Sequence, residues 1–435
     1  MEPERAIVRW SLIKRISFRF LFSYFVLFFL TGQEIAQIPY LYPVVQKYTE
    51  LWHAVAVWLG KQVFHVPYEI ALDGQGSGDT TFRWILLPCY LALAFLATVI
   101  WSVLDRRRPH YQRLHQAFRL MLRFSLGLAM IVYGISKAIP NQMPSPRLNT
   151  LLQRYGDLPP MMVLWSFMGT SPAYESFTGL AELLGGVLLL VPRTVLLGSL
   201  VCIADMTMVF VLNLCYDVPV KIMSFHYLVM GILLAAPDLR RLADLFLFNR
   251  PVAPAETPPL FARRRLDQAV QVLFFLFGVY TIVMGTIGSI ERYKRQNPPP
   301  PPLYGAWSAE EITLDGKDGL LDPAGWRRVA IQKAGSVLIE LTPGGRRSYA
   351  LTLDQAAKRM TIEQYQRDAQ GMTVMNAAGE PQKLPGRWAE LSYSEPEADV
   401  LVLAGTVDGR PLHAKMRKMK FAQKRFRWII DPTDD

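Results

Sequence analysis

The stretch TVLLGSLVCIADMTMVFVLNL, residues 194–214, holds 21 residues and a single charge, Asp205. A bilayer core needs about 20 mostly apolar residues as helix, because hydrocarbon offers no partner to free backbone N–H and C=O groups. This stretch therefore reads as a membrane span. Working outward, six more runs qualify, at about 17–35, 82–103, 116–138, 177–192, 221–236 and 266–289. The composition agrees. Of 435 residues, 51% are hydrophobic and 19% charged, with a mean hydropathy of +0.17; an ordinary soluble chain carries about 25% charged residues. The surplus is uneven. Residues 303–435 hold 19 Lys/Arg and 18 Asp/Glu, so the apolar excess and nearly all of the +11 net charge belong to the first 300 residues. A single water-soluble globule is excluded. Nucleic acid is not an expected partner either, because the basic residues cluster beside apolar runs rather than along one face.

Those clusters set the expected orientation. Arg5, Arg9, Lys14, Arg15 and Arg19 lie at the start, and Gly32 to Gln37 offer no small-x-small cleavage site, so the first run reads as an uncleaved anchor. Arg106, Arg107, Arg108 and Arg113, then Arg193, then Arg240, Arg241, Arg250, Arg263, Arg264 and Arg265 fall on alternate connections, whereas 36–81 and 139–176 carry few cations. The positive-inside bias predicts a cytoplasmic N-terminus, and seven crossings put the C-terminus outside, against the pull of Arg292, Lys294 and Arg295. Residues 47–66 and 159–171 are short and Trp-bearing, and read either as helices at headgroup level or as loop helices packed on the bundle.

Ionisable side chains at membrane depth cost several kcal/mol unless paired or hydrated, about 2.5–3.5 even on insertion scales. They supply the candidate site. Arg123, Tyr133 and Lys137 lie in the third span, with Tyr133 and Lys137 four apart on one face. Glu182 in the fourth span shares a side with Gly179, Gly185 and Gly186, which would admit a close helix. Asp205 and Asn213 follow in the fifth span, Asp217 and Lys221 at its end, and His226 in the sixth. Two readings stand: a polar pocket, with Lys137 or Arg123 facing Glu182 and Asp205 or Asp217 nearby, or buried ion pairs that fix helix packing. The cysteines (Cys89, Cys202 and Cys215) lack paired spacing, which argues against a dithiol relay, and no ligand spacing for a metal is seen.

Tyr133-Gly134-Ile135-Ser136-Lys137 and Gly179-Leu180-Ala181-Glu182-Leu183-Leu184-Gly185-Gly186, with the apolar run on to Pro192-Arg193, resemble the DoxX family of bacterial membrane proteins over residues 115–240. Gly76-Ser77-Gly78-Asp79-Thr80-Thr81, Trp101-Ser102-Val103-Leu104-Asp105 and Tyr216-Asp217-Val218-Pro219-Val220-Lys221 are similar to a larger DoxX-like subgroup with flanking spans and a soluble tail. The resemblance implies a four-helix membrane unit in a bacterial cytoplasmic (inner) membrane. It also implies a link to quinone-dependent thiosulfate or thiol oxidoreduction, with quinone as the one cofactor it leaves open. The paired cysteines of disulfide-forming quinone enzymes are missing.

Beyond the proline run 298–302, which predicts a stiff polyproline stalk, the period switches towards two. Val329–Ile331, Val337–Leu341, Tyr349–Leu353, Met360–Ile362, Trp388–Tyr393, Val400–Leu403 and Leu412–Met416 read as strands, with hairpin turns at Thr342–Gly345 and Asp408-Gly409. An antiparallel meander of seven to nine strands is expected, with a small lipocalin-like barrel as its closed alternative, filled by side chains or holding one small ligand. Trp307, Trp326, Trp388 and Trp428 supply core volume. The basic run Lys415, Arg417, Lys418, Lys420, Lys424, Arg425 and Arg427 reads as a solvated strand edge or as a lipid-docking surface.

The expected fold is thus an α-helical polytopic membrane bundle of about seven spans plus a C-terminal antiparallel all-β domain. The expected parts are an N-terminal membrane region with two spans (1–114), the DoxX-like unit (115–240), a cytoplasmic linker and seventh span (241–297), the stalk (298–302) and the β-domain (303–435). The first functional reading is a non-enzymatic membrane subunit that binds lipid, quinone or a membrane or periplasmic protein partner. The alternatives are a component of a quinone-linked thiol or thiosulfate oxidoreductase, and a small-solute transporter.

Overall fold

The computed structural model describes residues 9–30, 42–72, 78–255, 259–261, 263–322, 324–341, 345–368, 371–376 and 379–421. The Gly32–Gln37 junction, Arg5, Gly76-Ser77, Thr342-Pro343-Gly344, Lys424, Arg425, Arg427 and Trp428 lie outside the described residues. The chain divides into two units. One is Met1–Ser145 with Pro159–Gln296, and the other is Pro146–Leu158 with Asn297–Asp435.

The first unit is helical: α1 Leu12–Leu30, α2 Tyr42–Gln62, α3 Thr81–Leu104, α4 Gln112–Ala138, α6 Pro160–Thr170, α7 Pro172–Leu190, α8 Val195–Cys215, α9 Lys221–Ala235, α10 Leu239–Phe246 and α11 Arg264–Gln296, with the one-turn α5 Leu148–Leu151 assigned to the second unit. Among the described residues, six helical stretches are long and apolar enough to cross a membrane: Thr81–Leu104, Gln112–Ala138, Pro172–Leu190, Pro192–Cys215, Lys221–Phe246 and Arg264–Gln296. They coincide with the second to seventh runs read from sequence. The chain thus has the make-up of a multi-pass membrane protein with an all-β domain. The first expected span, 17–35, runs past Leu30 into residues outside the described set.

Local chemistry starts these helices where they start. Thr80 accepts from Arg83 N at 3.3 Å ahead of α3, and Ser171 accepts from Tyr174 N at 3.4 Å ahead of α7, whose first residue is Pro172. Four spans close a ring, as α4 packs on α7, α7 on α8, α8 on α9 and α9 back on α4. Helix α11 packs on α4, and α1 packs on α3. The two segments with alternative readings are both helical, and each buries residues against neighbouring segments. Trp52, Ala56 and Gly60 of α2 bury against the α3 region with Phe82, Ile85 and Tyr90, and Leu164 and Met168 of α6 bury against Met143 and Val218.

Among the described residues, the second unit holds a nine-stranded antiparallel sheet: β1 Gly305–Leu314, β2 Lys317–Asp318, β3 Trp326–Lys333, β4 Ser336–Leu341, β5 Arg346–Asp354, β6 Arg359–Glu363, β7 Ala389–Glu397, β8 Val400–Val407 and β9 Arg410–Lys418. Neighbours pair in chain order, β2 is a short adjunct to β1, and β1 also pairs with β9, so eight strands close a barrel. Its interior is filled by buried side chains, among them Trp307, Trp326, Ile331, Ile339, Leu401 and Met416. The β8–β9 hairpin turns through Asp408 (φ 50°) and Gly409 (φ 75°), the positive-φ pair expected there.

Strand β1 escapes the period-two reading. Trp307 and Ala309 face the core and so do Ile312 and Leu314, because the register shifts between Ala309 and Glu311 and inverts the alternation. The basic run is also corrected. Strand β9 is paired on both sides, by β8 and β1, and is no edge. Arg417 and Lys415 instead pair with Glu310, and Lys420 with Asp399.

Candidate functional site

The site is built on glycine. Gly127 and Gly134 of α4, and Gly179 and Gly186 of α7, are each seven residues apart, two turns of helix, and so return to one face. A Cβ on Gly134 would lie 2.6 Å from Leu183 N, one on Gly179 would lie 2.2 Å from Ala138 N, and one on Gly186 would lie 2.9 Å from Gly127 O. Backbone therefore meets backbone along an antiparallel seam, as small residues permit where no hydrophobic force acts between helices in lipid. On the flank of α7, a Cβ at Gly185 would fall 2.9 Å from Cys202 Sγ of α8.

The seam delivers two charges to each other. Lys137 lies three residues after Gly134, and Glu182 lies three after Gly179. Lys137 Nζ donates to Glu182 Oε1, with only 8% and 4% of the two side chains exposed. The other carboxylate oxygen, Glu182 Oε2, is buried and has no hydrogen-bond partner among the described residues. Asp205 of α8 lies within electrostatic reach of both Glu182 and Lys137, and its Oδ2 is likewise buried without a partner. Glu175, also buried and also within reach of Lys137, accepts from Met143 N at 2.9 Å through Oε1 and leaves Oε2 unmatched. One lysine thus pairs with Glu182 and lies within electrostatic reach of two further acids. The unmatched oxygens are places where a proton or a hydrogen-bond donor can bind.

The remaining sequence candidates sit elsewhere. Arg123 does not face Glu182. It donates to Leu189 O at 3.1 and 3.0 Å, to Leu190 O at 3.2 Å and to Gln271 Oε1 at 3.3 Å, closing the carbonyl end of α7. Tyr133 packs edge-on to Tyr227 with ring centres 6.5 Å apart. Asn213 donates to Ser224 Oγ at 3.0 Å, tying α8 to α9. Asp217 is 83% exposed, sits at φ 50°, and pairs with Lys221 at 2.8 Å. His226 stacks on Phe28 at 3.9 Å; its Nδ1 lies 2.6 Å from Ile222 O, and its Nε2 lies 2.7 Å from Tyr24 Oη. Of the nine candidates, three meet as one charged cluster: Lys137, Glu182 and Asp205.

Several residues were missed. Glu175 carried a signal, since it stands seven before Glu182 on the same helix face. Asp79 caps α9 from a distant loop, accepting from Lys221 N at 2.8 Å and Ile222 N at 3.0 Å, a carboxylate at a helix N-terminus. Arg19 read as a flanking cation but is buried, donating to Tyr111 Oη at 2.7 Å, Ser102 Oγ at 2.8 Å and Asp105 O at 3.0 Å. Neither of the last two is visible in local spacing, because both partners are 80 or more residues away. Of the cysteines, Cys202 is buried, Cys89 half-buried and Cys215 exposed, and all three are free.

A ring of four spans around a buried lysine–carboxylate cluster, carried in one chain with an eight-stranded barrel, defines a multi-pass membrane protein of composite build. In sequence the chain is 30% identical over 138 residues to an uncharacterised protein, YwoB, of Bacillus subtilis strain 168. That match takes in 30% of this chain and 79% of the relative. The chain belongs to the family of YwoB. No protein-family model matches the chain, and no solved structure matches it.

Proposed function

We propose that this chain is a DoxX-type subunit of a bacterial cytoplasmic membrane that works by binding rather than by chemistry of its own. The observation that carries the proposal is the barrel's filled interior. Trp307, Trp326 and their neighbours occupy the space a ligand would need, so what the domain offers is its outer surface. Between β6 and β7 that surface carries a bridged extension, with Tyr365 opposite Lys383, Arg367 opposite Thr373 and Met375 opposite Pro381. Met372 and Met375 are exposed on it, adaptable apolar side chains suited to a protein partner.

The cation bias gives a cytoplasmic N-terminus and an extracytoplasmic barrel. Crossing parity supports a barrel on the same side as the cation-poor connection 139–176. Pro146–Leu158 leaves α4 yet belongs to the same unit as the tail after α11. Four spans (α7, α8, α9 and α11) lie between these two segments, an even number that returns the chain to one side. A second reading, a quinone-linked oxidoreductase component, is favoured by the unmatched oxygens of Glu182 and Asp205, which could take up the proton of a reduced carrier.

Purification in native-like lipid, with mass spectrometry of bound proteins and small molecules, tests both. The proposal expects a stoichiometric protein partner that is lost in Met372→Asp/Met375→Asp. An inert monomer in both forms overturns it. Quinone that co-purifies and is lost in Glu182→Ala would establish the second reading instead.

A further inference from the structure

A groove of about 580 Å³ runs between α1 and α3, walled by Phe20, Leu21, Phe95 and Val99, with Ser17 and Ser102 at one end. A volume of this order is that of a built small-molecule site, but the groove is open along one side and almost wholly apolar, a shape for a chain rather than for a ring. The end marked by the serines is the basic end. Ser17 follows Lys14 and Arg15 on α1, and Ser102 precedes Arg106, Arg107 and Arg108 in the turn after α3. Arg15 Nη1 donates to Arg106 O at 3.2 Å and Arg108 O at 2.9 Å, which pins that turn against α1 beyond the serine end of the groove.

The local acid is already engaged, since Asp105 accepts from Tyr111 Oη at 3.0 Å and pairs with Arg108 at 3.6 Å. Arg106 and Arg107 are exposed and enter no ion pair among the described residues. An apolar trough whose serine end is followed, four and five residues on, by unpaired arginines is complementary to one kind of molecule, an acyl chain that ends in an anionic phosphate. Guanidinium is the side chain best matched to phosphate oxygens, in charge and in geometry.

We infer that the α1–α3 groove seats an anionic phospholipid, with an acyl chain along Phe20, Phe95 and Val99 and its phosphate under Arg106 and Arg107. This deepens the lipid-binding part of the reading above and rests on α1 and α3 lying in the bilayer. It is independent of the protein partner.

The test is lipid retention. The full chain is purified in mild detergent from membranes of measured composition, and the retained phospholipid is counted by native mass spectrometry. An anionic phospholipid enriched over the bulk membrane is expected. Each juxtamembrane cation is expected to contribute about fivefold to retention, so Arg106→Gln lowers it about fivefold and Arg106→Gln/Arg107→Gln about twenty-five-fold. Arg106→Lys/Arg107→Lys should keep most of it. Val99→Trp, which fills the trough and leaves the rim alone, should also lose the lipid. Elution volume and melting temperature confirm that each variant is folded, and Arg106→Gln alone serves in place of a glutamine pair that is not.

Excess inorganic phosphate should fail to displace the lipid. Displacement would show that the rim reads phosphate alone and would overturn the groove's part. Retention in bulk proportions, a zwitterionic lipid or a quinone in its place, or unchanged retention in the glutamine pair would overturn the inference. The partner assay with the Met372 and Met375 variants is unaffected by any of these results, so the two readings fail separately.

Discussion

Gly179→Ala offers the sharpest test of the helix seam. The new methyl carbon would stand 2.2 Å from Ala138 N, 2.6 Å from Gly134 O and 2.7 Å from Lys137 C, all backbone atoms that no rotamer change can move aside. Ordinary contact begins near 3.4 Å, so α4 and α7 must part by about 1 Å, and overpacking of this kind costs about 1–3 kcal/mol. Alanine also gains about 0.8–1.0 kcal/mol of helix propensity over glycine, which would mask part of the loss. Gly288→Ala on α11 supplies the correction, because its methyl meets nothing within 4 Å. The difference between the two variants cancels propensity and isolates the clash. Thermal or denaturant unfolding of both, in one detergent and at one protein concentration, should find Gly179→Ala less stable than Gly288→Ala by about 1–3 kcal/mol. A difference within about 0.5 kcal/mol, the scale of an inert surface substitution, would refute direct backbone contact at the seam.

Lys137→Met leaves Glu182 buried without its cation and should destabilise by about 3–5 kcal/mol, whereas Lys137→Met/Glu182→Gln should recover a large part; equal losses in the two, read by the same unfolding assay, would deny the pairing. Trp326→Ala empties the centre of the barrel and should cost about 3–5 kcal/mol, seen as loss of the barrel's near-ultraviolet circular dichroism at lower denaturant. Hydrogen bonds from Arg417 to Glu310 and from Arg410 to Asp322 hold both carboxyls below the usual carboxylate range. The folded state therefore binds those protons less tightly than the unfolded one. The stability from these pairs is fully present above the ordinary carboxylate value of about 4 and is lost as pH falls through the lower folded values. Arg410→Gln/Arg417→Gln should flatten the acid limb of a stability–pH curve, and a limb as steep as that of the unaltered chain would count against it.

Much of this architecture is a local property of the chain. Whether twenty residues dissolve in hydrocarbon is decided by those residues, so the run at 194–214 and its counterparts were legible one by one. The strands from Val329 onward were legible for the same reason, since alternation is written into adjacent positions. Strand β1 was not, because one register shift at Ala309/Glu311 turns a period-two pattern into two short pieces of opposite phase. The choice between an open meander and a closed barrel was not legible either; β1 closes on β9, which turned an apparent basic edge into an interior strand whose arginine and lysine meet Glu310.

The charged cluster divides the same way. Chemistry and spacing nominated Lys137, Glu182 and Asp205, because short or buried charges in a span have few ways to be tolerated. Choosing Lys137 over Arg123 as the partner of Glu182 took the tertiary structure. A helix face fixes only a direction, whereas partnership depends on where along α4 the seam of Gly127 and Gly134 sets α7, and that register carries Arg123 to the carbonyls of Leu189 and Leu190 instead. The solvent of each segment follows from its own side chains; the meeting of distant groups follows from how close two backbones can come.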